Sequence, residues 1–467
     1  MAATTVFDDL REALAVQAFD GAAVGIDLGT TKSCIAVARY EDGELVCECQ
    51  TIDEPGQPEG QIAVPSVVAV KERQAIVGHA AKRLARTPRF FQHKGSFSET
   101  KNEIGLRHTY ARAPEGFQSA TEIAGHIIEY LFHASRLDGE PIANPMVITV
   151  PASFHGAQRT ATRDAVSLVF DEYQEVRLLD EPYAAVLDLL HRDPGKAGEH
   201  LSAGATWLVF DFGGGTCDVA LFTLQASETA ALAPRLLATS RYHRIGGGDI
   251  DRAIVHGHLI PALLERYRLE RTAVSFADKR RRFEPVLLPV AEQLKRALCQ
   301  RLRAQRENGD DANAVEVISA GDHGIEWNQR ELFLSDARLD QATFEKLLRP
   351  FLDPNPDKPA SDEFVERDSV FRPIHQVLAR AGLGPEAIDL VLLAGSSSRI
   401  PQVQDALRDY FSEADVVELG DDLDVQGAIA RGAALQALAM AATGKPLIAP
   451  ASSAELGLRT RQGLVPL

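Results

Sequence analysis

Two stretches of this chain place aspartate, glycine and threonine at spacings that suit phosphate chemistry. In TWLVFDFGGGTCDVALFTL, residues 206–224, an apolar run ends near Asp211, then come Gly213, Gly214 and Gly215, the Thr216 hydroxyl, and Asp218 just past the turn. Consecutive glycines let the backbone approach a ligand and point its N–H groups at one anion. Carboxylates beside a phosphate repel it unless a divalent cation such as Mg²⁺ lies between them. Alone, the stretch also reads as an ordinary glycine-rich hairpin. VGIDLGTTKSCIAVA, residues 24–38, repeats the logic with Asp27, Gly29, Thr30, Thr31 and Lys32. Two matching tips about half the core apart suggest duplicated halves rather than a short-period solenoid.

Further turns carry related residue types. Gly246, Gly247, Gly248 and Asp249 open a long helix, and Gly395 and Ser396 follow an apolar strand. Glu181 falls on a strand-to-helix turn before Pro182, where a carboxylate can reach a ligand or simply complement the helix dipole. The common nucleotide signature G-x-x-x-x-G-K-[ST] is absent, as are HExxH and G-x-S-x-G. Cys47 and Cys49 flank one residue, but no histidine or second cysteine pair stands at metal-ligand spacing.

The elements that must hold these tips are legible from periodicity. Residues 206–212 and 218–224 predict the two strands of the glycine hairpin, and 65–70, 75–77, 145–151 and 388–393 predict further strands, with another near 235–243. A helix is expected from Gly78. Ser119 and Glu122 form a capping box before a helix whose Ile123, Ile127 and Leu131 face a core. Further helices are expected over 158–170 and 284–305, near Pro373, and from Pro401. Residues 424–440, rich in small side chains, suit a helix packed closely on neighbouring backbone. Residues 87–115 read as loop-rich and contain Lys94 and Lys101, 193–205 as a connection between halves, 353–360 as a surface loop, and 279–282, a basic cluster, as a solvated helical face.

At 467 residues the chain exceeds one core and suggests roughly two to four domains. Its 45% hydrophobic and 25% charged residues are those of a soluble globular protein, and its net charge of −17 argues against nucleic acid and anionic membranes as partners. Asp8, Asp9 and Glu12 precede any apolar run, unlike a signal peptide, and no run approaches the roughly 18–20 residues of a membrane span. The expected compartment is the cytoplasm, which isolated cysteines suit.

Two facing phosphate hairpins resemble those of the actin-like ATPase superfamily. Within it the chain most resembles the 70-kDa heat-shock chaperones: VGIDLGTTKSCIAV, VITVPASFHGAQRTATRDA, LLDEPYAAVL, FDFGGGTCDVALF, RIGGGDIDRAIV, EQLKRAL, AGSSSRIPQVQ and GAIARGAALQA occur in that family's order, over about residues 22–442. The resemblance implies an α/β fold of two duplicated, ribonuclease-H-like lobes around a central nucleotide cleft. Residues 1–21 would be an N-terminal extension, 22–202 lobe I, 203–415 lobe II and 416–444 a return helix. Residues 445–467 would be a tail, a vestige of a linker and of the first strand of a peptide-binding domain.

It also implies ATP or ADP as the ligand, with Asp27 and Asp211 holding Mg²⁺ through its waters. Gly29 to Lys32 and Gly213 to Thr216 would enclose the phosphates from two sides. Glu181 and Asp218 would order metal-bound or attacking water, and Lys101, which matches the family pattern Lys-x-x-Ile-Gly better than Lys94, would position that water. Gly246 to Asp249, Gly395, Ser396 and Arg399 would line the nucleoside, with Glu292 and Lys295 meeting the ribose and Arg296 stacking on adenine. Cys299 stands where the family has an adenine-binding serine, the turn AGSSSRIP is one residue longer than the family pattern, and Gln426 replaces the usual aspartate. The expected function is an ATP-binding, slowly hydrolysing switch acting on a partner polypeptide: a co-chaperone, an exchange factor or a separate substrate-binding chain. A non-hydrolysing nucleotide-sensing scaffold and a filament-forming relative are the alternatives. The roughly twenty residues after 445 cannot build a peptide-binding sandwich, so peptide holding by this chain alone is not expected.

Overall fold

The structure, a computed structural model, describes residues 6–16, 21–85, 95–137, 139–170, 174–201, 204–241, 243–309, 314–355, 360–361, 366–450, 457–460 and 463–466. The first half comprises α1 (Asp8–Val16), β1 (Ala23–Asp27), β2 (Lys32–Glu41), β3 (Glu44–Cys49), β4 (Ala63–Pro65), β5 (Val67–Lys71), β6 (Gln74–Val77), α2 (Gly78–Ala85), β7 (Ser96–Ser98), α3 (Ala120–Ala134), β8 (Met146–Val150), α4 (Gly156–Ser167), β9 (Val176–Asp180) and α5 (Glu181–Arg192). A short helix, α6 (Pro194–His200), leads to β10 (Thr206–Phe212), β11 (Cys217–Ala226), β12 (Leu232–Thr239), α7 (Gly247–Ile254), α8 (Ile260–Arg266), α9 (Glu284–Asn308), β13 (Glu316–Trp327), β14 (Arg330–Asp340), α10 (Gln341–Leu348), β15 (Ala360–Ser361), β16 (Glu366–Arg367), α11 (Phe371–Ala381), β17 (Leu390–Ala394), α12 (Pro401–Tyr410) and β18 (Asp415–Glu418). Helix α13 (Asp422–Thr443) and a hairpin, β19 (Gly457–Thr460) and β20 (Gly463–Pro466), follow.

The duplication shows in the sheets. One runs β3-β2-β1-β8-β9 and the other β12-β11-β10-β17-β18. In each, an antiparallel meander supplies three strands, and two further strands add in parallel to its first. The tips at 28–31 and 213–216 are therefore the same turn in two copies of one sheet pattern. This is the actin-like ATPase architecture expected from the sequence.

Between the sheets lie α5 and α13, whose buried faces join strands of both sheets in one apolar core. The small residues of α13 permit a close approach: a Cβ on Gly25 of β1 would sit 2.2 Å from the Ala434 nitrogen, and one on Gly432 would sit 1.9 Å from the Ala184 carbonyl of α5. Arg431 of α13 forms a two-pronged ion pair with Asp188 of α5, both bonds 2.7 Å, with Asp188 fully buried. The capping box also forms, with Ser119 Oγ accepting from the Glu122 N–H and Glu122 Oε2 accepting from the Ser119 N–H.

Several segments differ from the sequence-based expectation. The N-terminal extension, to which the sequence assigned no role, packs on the core: Val6, Phe7, Leu10 and Leu14 are buried there, with Phe7 edge-on to His191 of α5. The connection at 193–205 contains α6, because Asp193 caps the Lys196 N–H and Pro194 suits the first helical turn. Residues just after Gly444 are also anchored. Leu447 and Ile448 are buried, the Leu232 N–H donates to the Leu447 carbonyl and the Ala449 N–H to the Leu232 carbonyl, and Gln436 satisfies the Leu447 and Ile448 backbone. The basic cluster, by contrast, is the solvated helical face expected, a π-helical turn in which the exposed Arg280 pairs with Glu284 and Arg282 with Asp278. No helix among the described residues is long and apolar enough to cross a membrane.

A candidate phosphate-binding cleft

Both glycine tips open into one cleft, which encloses about 110 Å³ of water-accessible space and opens to solvent at its mouth. Asp27 ends β1, and Asp211 lies one residue before the end of β10. Each belongs to a central strand, so strand geometry carries the carboxylates to the same edge of the two sheets. Gly214 meets Thr31 across the gap: a Cβ there would lie 2.6 Å from the Thr31 hydroxyl, so any side chain would close the space between the tips. Gly395 has φ +76°, and its Cβ would lie 2.4 Å from Asp211 Oδ1, so both backbone and space demand glycine.

Lys101, on the 3₁₀ turn Thr100–Glu103, reaches Glu181 at the start of α5, with Nζ 2.5 Å from Oε1. Its ammonium also stands 6.0 Å from the Phe154 ring centroid. Thr149 of β8 donates to Asp27 Oδ1 at 3.2 Å. Lys94 lies outside the described residues.

Four carboxylates, Asp27, Glu181, Asp211 and Asp218, thus surround one ammonium. Burial, with Glu181 adding repulsion, pushes the Asp27 carboxyl from 3.8 to about 7, and the same two causes push Asp218 to about 7. Asp211 is raised well above 3.8 by burial and by Glu181, Asp218 and Asp27. Burial would lower the Lys101 pKa, but Glu181 and Asp27 outweigh it and raise it. Among the described residues, the buried Asp218 Oδ1 has no hydrogen-bond partner. Surplus buried carboxylate and an orphaned carboxylate oxygen fit an oxygen-ligated divalent cation such as Mg²⁺.

Of the residues singled out in the sequence, the cleft lining unites Asp27, Gly29 to Lys32, Lys101, Glu181, Asp211, Gly213 to Thr216, Asp218, Gly395 and Ser396. Gly246, Gly247, Gly248, Asp249, Glu292, Lys295, Arg296, Cys299 and Arg399 are not among these lining residues. Gly247 and Gly248 instead brace the second tip from behind, donating to the Gly213 and Gly214 carbonyls at 3.0 and 2.9 Å, while Asp249 caps the Gly246 N–H. Lys295 is buried, 2.8 Å from both Asp251 Oδ1 and the Gly247 carbonyl. Glu292 pairs across the cleft with Lys82 at 3.4 Å; burial opposes its ionisation, yet Lys82, Lys295 and Lys32 hold its carboxyl below the usual range. Arg296 is exposed, Cys299 is buried, and Arg399 donates to the Gly420 carbonyl.

Sequence reasoning missed Thr149 and Phe154 as site residues. Thr149 is a lone hydroxyl in the buried strand MVITV, a signal that could have marked it; Phe154 carried none, since its role depends on where Lys101 arrives. Gln426, singled out as a departure, also lines the cleft and accepts from Lys32 Nζ at 3.2 Å.

Comparison with known proteins places this geometry in context. The family model described as "Hsp70 protein" matches residues 23–464. The chain is 30% identical over 467 residues to "Chaperone protein DnaK" from each of two strains of Thermus thermophilus, covering 95% of this chain. It spans 65% of the length of these relatives.

Proposed function

Starting from the fact that the chain belongs to the Hsp70 family, we propose that it binds ATP with Mg²⁺ in the cleft, hydrolyses it slowly, and uses the resulting change in closure of its two halves to act on a partner polypeptide. The observation that carries this reading is the buried set of four carboxylates and Lys101 facing two glycine tips from opposite halves.

In this reading Asp27 and Asp211 would hold Mg²⁺, which would supply positive charge to offset that of the phosphates. The N–H groups of residues 29–31 and 213–215 cradle the phosphate oxygens, and the Thr30, Thr31 and Thr216 hydroxyls add donors. Lys101, fixed by Glu181, orients the attacking water, and Asp218 accepts a hydrogen bond from it. Positioning and electrostatics supply most of phosphoryl-transfer catalysis, so a tethered cation among carboxylates suits the task. The pair Lys82–Glu292 and the pair Arg244–Glu99, at 3.1 Å, tie the two halves across the cleft, so nucleotide and closure are coupled.

Calorimetric titration with Mg²⁺ and ATP, followed by single-turnover hydrolysis, tests the proposal. Binding, with ADP formation abolished in Asp211→Ala, is expected. No binding at millimolar ATP refutes it, and binding without hydrolysis leaves a nucleotide-sensing scaffold.

A further inference from the structure

The end of the second sheet opposite the cleft carries another group of ligand-type side chains. β10, β17 and β18 run parallel, and the C-terminal ends of β10 and β17 carry Asp211 and the turn at Gly395 into the cleft. At their N-terminal ends Trp207, Leu390 and Asp415 form one in-register row. Helix α6, in the segment joining the halves, delivers Glu199 and His200 to that row. The Trp207 indole N–H donates to the His200 carbonyl at 3.1 Å, and the imidazole packs edge-on against the indole, centroids 6.2 Å apart and planes at 85°. These contacts fix both backbone and ring, and His200 Nε2 meets Asp415 Oδ2 at 2.8 Å. One ligand atom each from Glu199, His200 and Asp415 lies within 4.8 Å of the others.

We propose that Glu199, His200 and Asp415 form a binding site for a divalent transition-metal cation of the zinc type, clasping the connection between the halves to the edge strand β18. An imidazole nitrogen with two carboxylate oxygens is a donor set suited to Zn²⁺, whereas Mg²⁺ and Ca²⁺ favour oxygen alone. Two carboxylates with oxygens within 4.8 Å of each other repel, and a dication between them converts that repulsion into attraction. Bonds of about 2.1 Å in a tetrahedron separate ligand atoms by roughly 3.4 Å, so the 2.8 Å His200–Asp415 contact must widen slightly to admit the ion, an adjustment that the exposed Asp415 and Glu199 side chains can make by rotamer changes. The ring of His200, held by Trp207, stays in place. Three protein ligands leave the fourth position to water, so the site holds the connection without depending on nucleotide.

Calorimetric titration of the full chain with Zn²⁺ alone, without nucleotide, tests this in wild type, His200→Ala and Asp415→Asn. The cleft carboxylates and the five cysteines also attract Zn²⁺, so the readout is the difference between proteins. Wild type should bind one saturable equivalent more than His200→Ala, and Asp415→Asn should bind that equivalent about tenfold or more weakly. Zn²⁺ should also raise the unfolding midpoint of wild type more than that of either variant. Asp415 is exposed, so its substitution keeps the test open if His200→Ala fails to fold. Unchanged stoichiometry and affinity in His200→Ala, or full affinity in Asp415→Asn, overturns the proposal and leaves a plain His200–Asp415 pair.

Discussion

Lys101 Nζ lies 2.5 Å from Glu181 Oε1, and this contact joins residues 80 positions apart into one buried pair at the floor of the cleft. The pair sets both the charge and the geometry of what can react there. Its consequences can be measured.

Lys101→Ala should lower single-turnover ATP hydrolysis about 100-fold or more while leaving Mg²⁺-nucleotide affinity within a few-fold, because in the proposed mechanism the lysine orients water rather than anchoring phosphate. Glu181→Gln, which keeps the shape but weakens the tether, should fall between. Normal hydrolysis by Lys101→Ala removes it from the mechanism.

Asp27 and Asp218 keep their protons to about pH 7 in the ligand-free fold, against 3.8 ordinarily. Between those values the folded chain binds more protons than the unfolded one, so their contribution to stability is present below pH 3.8 and is lost as pH rises through 7. Cation binding needs the ionised carboxylates, so nucleotide affinity with Mg²⁺ should rise from pH 6 to pH 8 with release of protons. Calorimetry at pH 6 in two buffers of different ionisation enthalpy measures that release; identical heats in both would contradict it.

Arg431→Ala leaves the fully buried Asp188 carboxylate without its two 2.7 Å partners. The expected loss is about 3–5 kcal/mol in denaturant unfolding, with most of it restored by the double substitution Arg431→Met, Asp188→Leu, which removes both charges. A loss below about 1 kcal/mol for Arg431→Ala would show that the pair is solvated.

Lys82→Ala breaks the 3.4 Å bridge to Glu292 across the cleft. Both side chains are about a third exposed, so the pair is worth about 0.2–1 kcal/mol. ADP release, followed by stopped-flow fluorescence, should accelerate up to about fivefold, less so at high salt. A larger change would mean that the lysine touches the ligand.

The amino-acid sequence by itself determined the strands that carry the site, the two glycine tips and the carboxylates at their ends, because continuous apolar runs and turn residues act locally, whereas β3, β13, β14 and β18 were not legible in it. It also foretold the close packing of α13, since only small side chains allow the Gly25–Ala434 and Gly432–Ala184 approaches. Tertiary structure decided everything that depends on pairing distant segments. Lys101 acquires its partner only when a loop turn meets the start of α5. Lys295 turns to Asp251 and the Gly247 carbonyl because burial leaves its ammonium needing partners, and Glu292 faces Lys82 once the halves meet. The N-terminal helix and residues 447–448 dock because the α5–α13 core leaves apolar surface that their Phe7, Leu10, Leu447 and Ile448 can cover, a demand set by the assembled fold and not by the local pattern of either segment.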